Sequence, residues 1–503
     1  MLNQNQNQIQ QPSLKTTYLG QKGYTLLRKE LTVLEQDFIR KELTVKPFVQ
    51  GSPGNSTAVS FPVYRESIQK FYIPRYFGET HFGQAKEMKI CQGENISVSF
   101  IGELRDYQKP VVETFLNHVT LKENGGGLLE LPCAFGKTIL AINICAKLKK
   151  KTLIIVHKEF LLNQWIERIQ QFLPDAKIGK IQGQIIDIEN KDIVIGMLQS
   201  LSMKEYPEST FSSFGLTIID EVHHISSEVF SCALFKIVTK YTLGLSATMN
   251  RKDGTTNVFK MFLGEVIFKG KRDEEHDVVV RAIEYTSNNE DFKNVILDFR
   301  GNVQYSSMIS KLCAYNHRSE FILKIVKDMT QENPSQQIMI LAHNRCLLTY
   351  FHDAIAHRNI ASVGYYVGGM KEKALKESET KSIIVASYSM AQEALDIKTL
   401  TTLIMATPKT DIEQAVGRIL REKHGTPVVV DIIDEHGLFK NQWTKRKAFY
   451  KKQNYKIIQT NNNNYCTEIC KWTTMFDPKS PKNNKEKESN DPLLNSCFIK
   501  LKK

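Results

Sequence analysis

From about residue 101 onward, short apolar runs alternate with longer stretches of helix-like spacing. GLLEL, TLIIV, DIVIG, LTIID and YTLGLSA form a first series. Strands separated by helices in this rhythm predict a parallel, doubly wound sheet. QIMILAHN, SVGYYVGG, KSIIVASYS, TTLIMATP and PVVVDIID form a second series and predict a second such sheet. The two series do not match as a simple sequence repeat. Upstream, FPVYRES and KFYIPRYFG alternate more weakly and suggest a small mixed domain.

These patterns divide the chain. Residues 1–12 are Gln/Asn-rich and read as disordered. Residues 13–95 form an N-terminal accessory domain, 96–272 the first sheet domain and 306–460 the second. Between them, 273–305 carries KRDEEHD and SNNED and reads as a linker. Residues 461–503 are rich in Asn, Lys and Pro and read as a flexible polar tail.

Charge adds a partner class. The 503 residues hold 67 basic and 54 acidic side chains, a net charge of +13. That excess suggests an anionic partner, with nucleic acid first; a lysine-rich surface from a biased genome is the plainer alternative. The run 440–456 concentrates Lys440, Lys445, Arg446, Lys447, Lys451, Lys452 and Lys456 without an acid. Trp443, Phe449, Tyr450 and Tyr455 lie among them. Such aromatics can stack on bases. The helical spacing equally predicts a packed helix, with Phe449 inward and most lysines solvated.

The nine cysteines are scattered, and only Cys466 and Cys470 are close. Without a second ligand pair they imply neither a zinc site nor a disulfide framework, which fits a reducing compartment. The polar N-terminus lacks a secretory pattern, and no apolar run is long enough to span a bilayer. The expectation is a soluble protein that uses no membrane.

Three strings carry the chemistry. In GLLELPCAFGKTILAINICAKL, a strand, a loop and a helix follow one another. The loop Leu131, Pro132, Cys133, Ala134, Phe135 and Gly136, with the helix N-terminus, can form an anion nest. Lys137 would neutralise the β- and γ-phosphates of a nucleotide, and the Thr138 hydroxyl would ligate Mg2+. LTIIDEVHH ends a strand in two acids. Asp220 would hold the magnesium through water, and Glu221 would polarise the attacking water. His223 could relay nucleotide state. LSAT at 245–248 offers Ser246 and Thr248 for hydrogen bonds across a cleft, or is a plain turn. QAVGRILR at 414–421 sets Arg418 and Arg421 three apart, on one face of a helix, where they could stabilise transition-state charge.

In this order the strings resemble the motifs of superfamily 2 helicases across roughly residues 100–458. LRDYQ at 104–108 looks like the adenine-reading Q motif, with Gln108 in the reading position. LPCAFGKT resembles motif I, IIVHKEFLLNQW motif Ia, DEVHH motif II (a DEAH-like DEVH box) and LSAT motif III. ILAHN is similar to motif IV, ASYSMAQEALDI to motif V and QAVGRILR to motif VI. VHKEFLLNQW, GLSATMNRKDG and KRKAFYKKQNY look like the XPB-like branch. FPVYRES, YIPRYFG and GYYVGGM resemble the poxvirus transcript-release helicases and their relatives in giant DNA viruses. The chain departs from the pattern at Ala134 and Ala394, where glycine is usual, and at Lys252, where the branch has an acid.

The resemblance implies an α/β fold of two tandem RecA-like domains, with ATP and Mg2+ bound between them. Gln414, Arg418 and Arg421 would reach the phosphates from the second domain, and His223, Ser246, Thr248 and Asp396 would couple the site to motion. Candidate nucleic-acid contacts are His157, Lys158, Gln199 and Ser200 in the first domain, and His343, Asn344, Ser387 and Tyr388 in the second. The XPB-like likeness favours DNA over RNA as the track, in viral transcription or repair. An RNA helicase and a remodeller that displaces transcripts or proteins without unwinding are the alternatives. The implied setting is the host cytoplasm or viral factory, with packaging in the virion a further option.

Overall fold

The computed structural model describes residues 15–47, 59–121, 125–132, 135–224, 227–249, 254–270, 277–393, 397–420, 426–467 and 470–480. The stretches 1–12 and 481–503 fall outside the described residues, as do Lys252 and Ala394.

The first sheet domain is an eight-stranded sheet. Its order is Ile185–Ile186, Ile178–Gln182, Ile193–Met197, Thr152–Val156, Leu216–Ile219, Tyr241–Ser246, Gly126–Glu130, Val266–Lys269. Every pair is parallel except the first, which closes an edge as a hairpin. Strands such as Thr152–Val156 are buried at every position, which is why their sequence reads as an unbroken apolar run.

The second domain is also an eight-stranded sheet. Its order is Val363–Tyr366, Ile383–Ser387, Gln337–Ala342, Leu400–Met405, Val428–Asp434, Val279–Tyr285, Lys456–Asn461, Thr473–Phe476. All pairs are parallel but the last. Numbering the parallel strands along the chain gives the same order, 3-4-2-5-6-1-7, in both sheets. The domains are therefore topological duplicates although their sequences do not repeat.

This duplication corrects two boundaries. The segment read as a linker, 273–305, contains Val279–Tyr285, which pairs on both sides and occupies the place that Gly126–Glu130 holds in the first domain. Its flanking charges masked a buried strand. The segment read as a flexible tail, from 461, supplies the antiparallel edge strand Thr473–Phe476.

The N-terminal unit is a five-stranded sheet with the order Arg65–Glu66, Lys70–Ile73, Gly23–Leu27, Thr17–Gly20, Glu87–Met88. Leu19, Tyr24, Phe71 and Phe77 share one core with Leu128, Leu153 and Phe235 of the first sheet domain. Arg75 pins the junction: its Nε donates to Glu79 at 2.8 Å and its Nη1 to the Lys240 carbonyl at 3.3 Å. A Cβ at Gly125 would sit 2.1 Å from that Nη1, and the φ of 63° there also favours glycine. The unit braces the first sheet domain.

Buried ion pairs lock the second domain. Arg318 grips Asp434 through two bonds of 2.6 and 2.8 Å and donates to the Ala406 carbonyl. Arg446 grips Asp431 through two bonds of 2.8 Å, and the Tyr450 hydroxyl donates to the same carboxylate. Arg446 lies on the helix Gly437–Lys452, which turns Trp443 and Tyr450 inward. Tyr455, just beyond it, is buried as well, and Phe449 packs on the same core. The base-stacking reading of 440–456 therefore fails for these aromatics. Arg446 is not part of a solvated face, whereas Lys440, Lys445, Lys451 and Lys452 are exposed.

Arg318 and Asp434 are both fully buried, so removing one strands the other's charge. Arg318→Met should cost about 3–5 kcal/mol in urea unfolding, and adding Asp434→Leu should recover much of it. Equal loss in the single and double variants would contradict this reading of the pair.

Candidate nucleotide cleft and nucleic-acid face

The strand Gly126–Glu130 ends at the carboxyl edge of its sheet, and the helix Lys137–Leu148 begins after a loop of six residues. The turn between them depends on Gly136, which has φ 87° and caps the helix. A Cβ there would also lie 2.4 Å from Gln108 Nε2. Gln108 is buried behind the loop. Its Nε2 donates to the Phe135 carbonyl at 2.8 Å, and its Oε1 accepts from the Arg105 amide at 2.9 Å. Phe135 meets Tyr107 edge-on at 4.9 Å between centroids. Gln108 thus shapes the phosphate loop directly.

Among the described loop residues, Leu131, Pro132 and Phe135 have no amide to spare for a phosphate. Leu131 is wholly buried, and its amide donates to the Ser246 carbonyl at 2.8 Å. Pro132 has no N–H, and the Phe135 amide points back to the Pro132 carbonyl at 3.3 Å. Cys133 and Ala134 lie outside the described residues. Among the described residues, the helix start at Gly136, Lys137 and Thr138 is where a phosphate would meet backbone amides.

Lys137 and the two acids meet at this edge. Lys137 Nζ lies 2.7 Å from Glu221 Oε1. Asp220 is buried and held at both oxygens: Trp165 Nε1 donates to Oδ2 at 3.0 Å, and the Glu221 amide to Oδ1 at 3.0 Å. Burial, helped by the Glu221 charge and opposed by Lys137, pushes its carboxyl up to about 6. Glu221 has φ 48°, in the left-handed region. That conformation costs a non-glycine residue about 1–3 kcal/mol and aims the carboxylate at Lys137. Among the described residues no three His, Cys, Asp or Glu side chains gather into a metal cage. A buried carboxylate beside a lysine and a helix-start threonine instead suits Mg2+ that arrives on phosphate oxygens. Asp220 and Thr138 would hold it, and it would neutralise charge on the phosphates.

His223 reaches out of this cluster to the other domain. Its Nδ1 lies 2.7 Å from Ser246 Oγ and 3.4 Å from Glu221 Oε2. Its Nε2 accepts from Gln414 Nε2 at 3.0 Å. Ser246 Oγ in turn donates to the Thr248 carbonyl. Arg418 Nε donates to the Ala391 carbonyl at 3.0 Å. It stands in a 3-10 turn, Arg418–Leu420, after the short helix Glu413–Gly417. Arg421 and Asp396 lie outside the described residues. Elsewhere at the domain interface, Phe160 packs on the cores of both domains, Asn163 donates to Glu372 at 2.9 Å, and Lys376 donates to Glu167 at 2.7 Å.

The candidate track residues follow strand ends on the same edges. His157 and Lys158 follow Thr152–Val156 and are half-buried. Gln199 is exposed, and Ser200 Oγ accepts the Gly183 amide at 2.9 Å. In the second domain, His343 Nδ1 lies 2.8 Å from Thr407 Oγ1, and burial with nearby Lys409 pushes its imidazole down to about 4. Neutral at physiological pH, it would offer a phosphate a hydrogen bond but no charge. Asn344 Oδ1 caps the helix Arg345–His357 through the Cys346 amide at 2.8 Å. Ser387 Oγ lies 3.2 Å from Ser389 Oγ. Tyr388 requires correction: its side chain is buried and its hydroxyl donates to the Thr407 carbonyl, so it supports His343 from within. Sequence reading missed Trp165 and Lys409, whose Nζ lies 4.8 Å from the centroid of the Tyr388 ring. Trp165 closes the motif Ia string, but nothing in its spacing points to Asp220.

Residues 101–251 match the family described as "Type III restriction enzyme, res subunit". A putative ATP-dependent RNA helicase of Acanthamoeba polyphaga mimivirus is 35% identical over 432 residues, 83% of this chain and 82% of its own length. A putative ATP-dependent RNA helicase of African swine fever virus is 29% identical over 382 residues, 71% of this chain and 74% of its own length. Among solved structures, S. cerevisiae Dbp5 bound to RNA and ADP BeF3 covers 71% of this chain and 90% of its own, with TM-score 0.51 and 10% identity, a likeness of fold.

Trp165→Phe should leave the core packed while freeing one oxygen of Asp220. Loss of such an outer support typically weakens metal binding at least tenfold, so the Mg2+ concentration for half-maximal ATP turnover should rise by about that factor. An unchanged Mg2+ dependence would remove Trp165 from the site.

Proposed function

Since the chain belongs to the superfamily 2 helicases, among members found in giant DNA viruses, and is an ATP-dependent nucleic-acid helicase, we propose that its track is DNA and that ATP works the cleft between its two motor domains. In this reading the helix start at Gly136–Thr138 binds the phosphates. Lys137 leaves Glu221 for the β- and γ-phosphates, which frees Glu221 to take a proton from the attacking water. Arg418 and Arg421 approach from the second domain and stabilise charge on the transferred group. Gln108 supports the loop and reads adenine. The contact that carries this reading is His223 with Gln414, because it joins the phosphate cluster to the other domain.

The γ-phosphate closes the cleft by bonding both domains, and its loss lets them part. With each domain gripping backbone phosphates in turn, one cycle becomes one step. The DNA assignment rests on the XPB-like strings and on the restriction-enzyme family matched by residues 101–251. It suits work in viral transcription or repair, in the host cytoplasm or a viral factory. The names of the mimivirus and African swine fever virus relatives favour a second reading, an RNA track.

ATP turnover measured with single-stranded DNA, duplex DNA, RNA or no nucleic acid separates the readings. Stimulation by DNA above RNA is expected; stimulation by RNA alone would transfer the track to RNA, and equal rates in all four would defeat the motor. Stimulated turnover without separation of a naked duplex would point to the remodeller. Lys137→Ala and Glu221→Gln should each abolish turnover and leave nucleic-acid binding largely intact. Wild-type rates in both variants would sink the site assignment.

A further inference from the structure

Between the strand Val279–Tyr285 and the helix Tyr305–Ala314, the chain makes a small hairpin whose base meets that helix, the Ile296 amide lying 3.3 Å from Met308 Sδ, and whose tip stands in solvent. Leu297 and Val303 form an antiparallel bridge, and the Gln304 amide donates to the Ile296 carbonyl at 2.9 Å. The Gly301 amide returns to the Asp298 carbonyl at 3.0 Å, and Gly301 has φ 81°, as a tight turn ending in a left-handed residue requires. Asp298 Oδ1 fixes the tip by accepting the Arg300 and Asn302 amides, each at 2.8 Å.

This ordered tip presents apolar groups to water. Phe299 is 91% exposed, and Ile296, Leu297 and Val303 are exposed beside it. Arg300 lies over the Phe299 ring, 5.0 Å from its centroid. The hairpin root abuts the second domain's track face. Tyr305, one residue past the hairpin, donates to the Pro408 carbonyl at 3.1 Å, and its ring lies 6.2 Å from that of His343. A rigid aromatic tip with a guanidinium, beside a phosphate-gripping edge on a chain of net charge +13, matches the chemistry of an unpaired base and its phosphate.

We propose that Phe299 stacks on the first unpaired base of single-stranded DNA at a duplex junction, while Arg300 meets the adjoining phosphate and Asp298 holds both in place. This inference rests on the DNA-motor reading above.

The test uses the full chain and a partial DNA duplex with 2-aminopurine at the first unpaired position. Wild type should quench the fluorophore on binding. Phe299→Ala should lose that quenching and unwind about tenfold more slowly, the scale of one lost base–aromatic stack, with turnover in the absence of DNA unchanged. Phe299→Trp should restore both signals, and Asp298→Ala should weaken them. Because Phe299 is exposed, the alanine variant tests stacking rather than folding. Wild-type quenching and unwinding by Phe299→Ala would overturn the hairpin's role alone. A wild-type chain whose ATP turnover ignores DNA would instead overturn the DNA-motor reading beneath it.

Discussion

The site hangs on one imidazole. His223 touches Glu221 and Ser246 in its own domain and Gln414 in the other. With Gln414 donating to Nε2, the ring proton sits on Nδ1 and is given to Ser246, whose own proton goes to the Thr248 carbonyl. In the proposed cycle, a shift of Glu221 would be felt at Gln414 through one ring. Coupling of this kind needs no long pathway, because both partners bear on the same residue.

The rest of the structure keeps that contact in register. The two sheets share one strand order, so each presents its carboxyl edge to the cleft. Trp165 and the Glu221 amide hold Asp220, while the left-handed backbone at Glu221 turns its carboxylate toward Lys137. In the second domain, Arg318–Asp434 and Arg446–Asp431 tie helices to the strand Val428–Asp434 through groups almost wholly removed from water. Both carboxylates belong to that one strand, so the pairs fix the second edge much as the shared N-terminal core fixes the first.

Much of the motor was legible because its chemistry is local. A strand, a Gly-Lys-Thr turn and a helix are consecutive, and Asp220 and Glu221 close a strand whose apolar run is plain. What was hidden depends on distant packing. Val279–Tyr285 read as linker because KRDEEHD and SNNED flank it, yet it pairs with two strands that come far later in the chain. Tyr388 follows a strand end as a surface contact would, but its ring turns inward to Thr407. Arg446 stood in a basic run without an assigned place of its own. Only Asp431, fifteen residues earlier, reveals why it is buried. Trp165 and Asp220 are separated by 55 residues, and no spacing rule joins them.

A double-mutant cycle on DNA-stimulated ATP turnover with His223→Ala and Gln414→Ala measures the cross-domain contact most directly. Each single variant should lose stimulation while still binding ATP. The double variant should be no worse than the poorer single one, a coupling of about 1 kcal/mol as for one lost hydrogen bond. Fully additive losses would contradict the claim that His223 and Gln414 act on motion through each other.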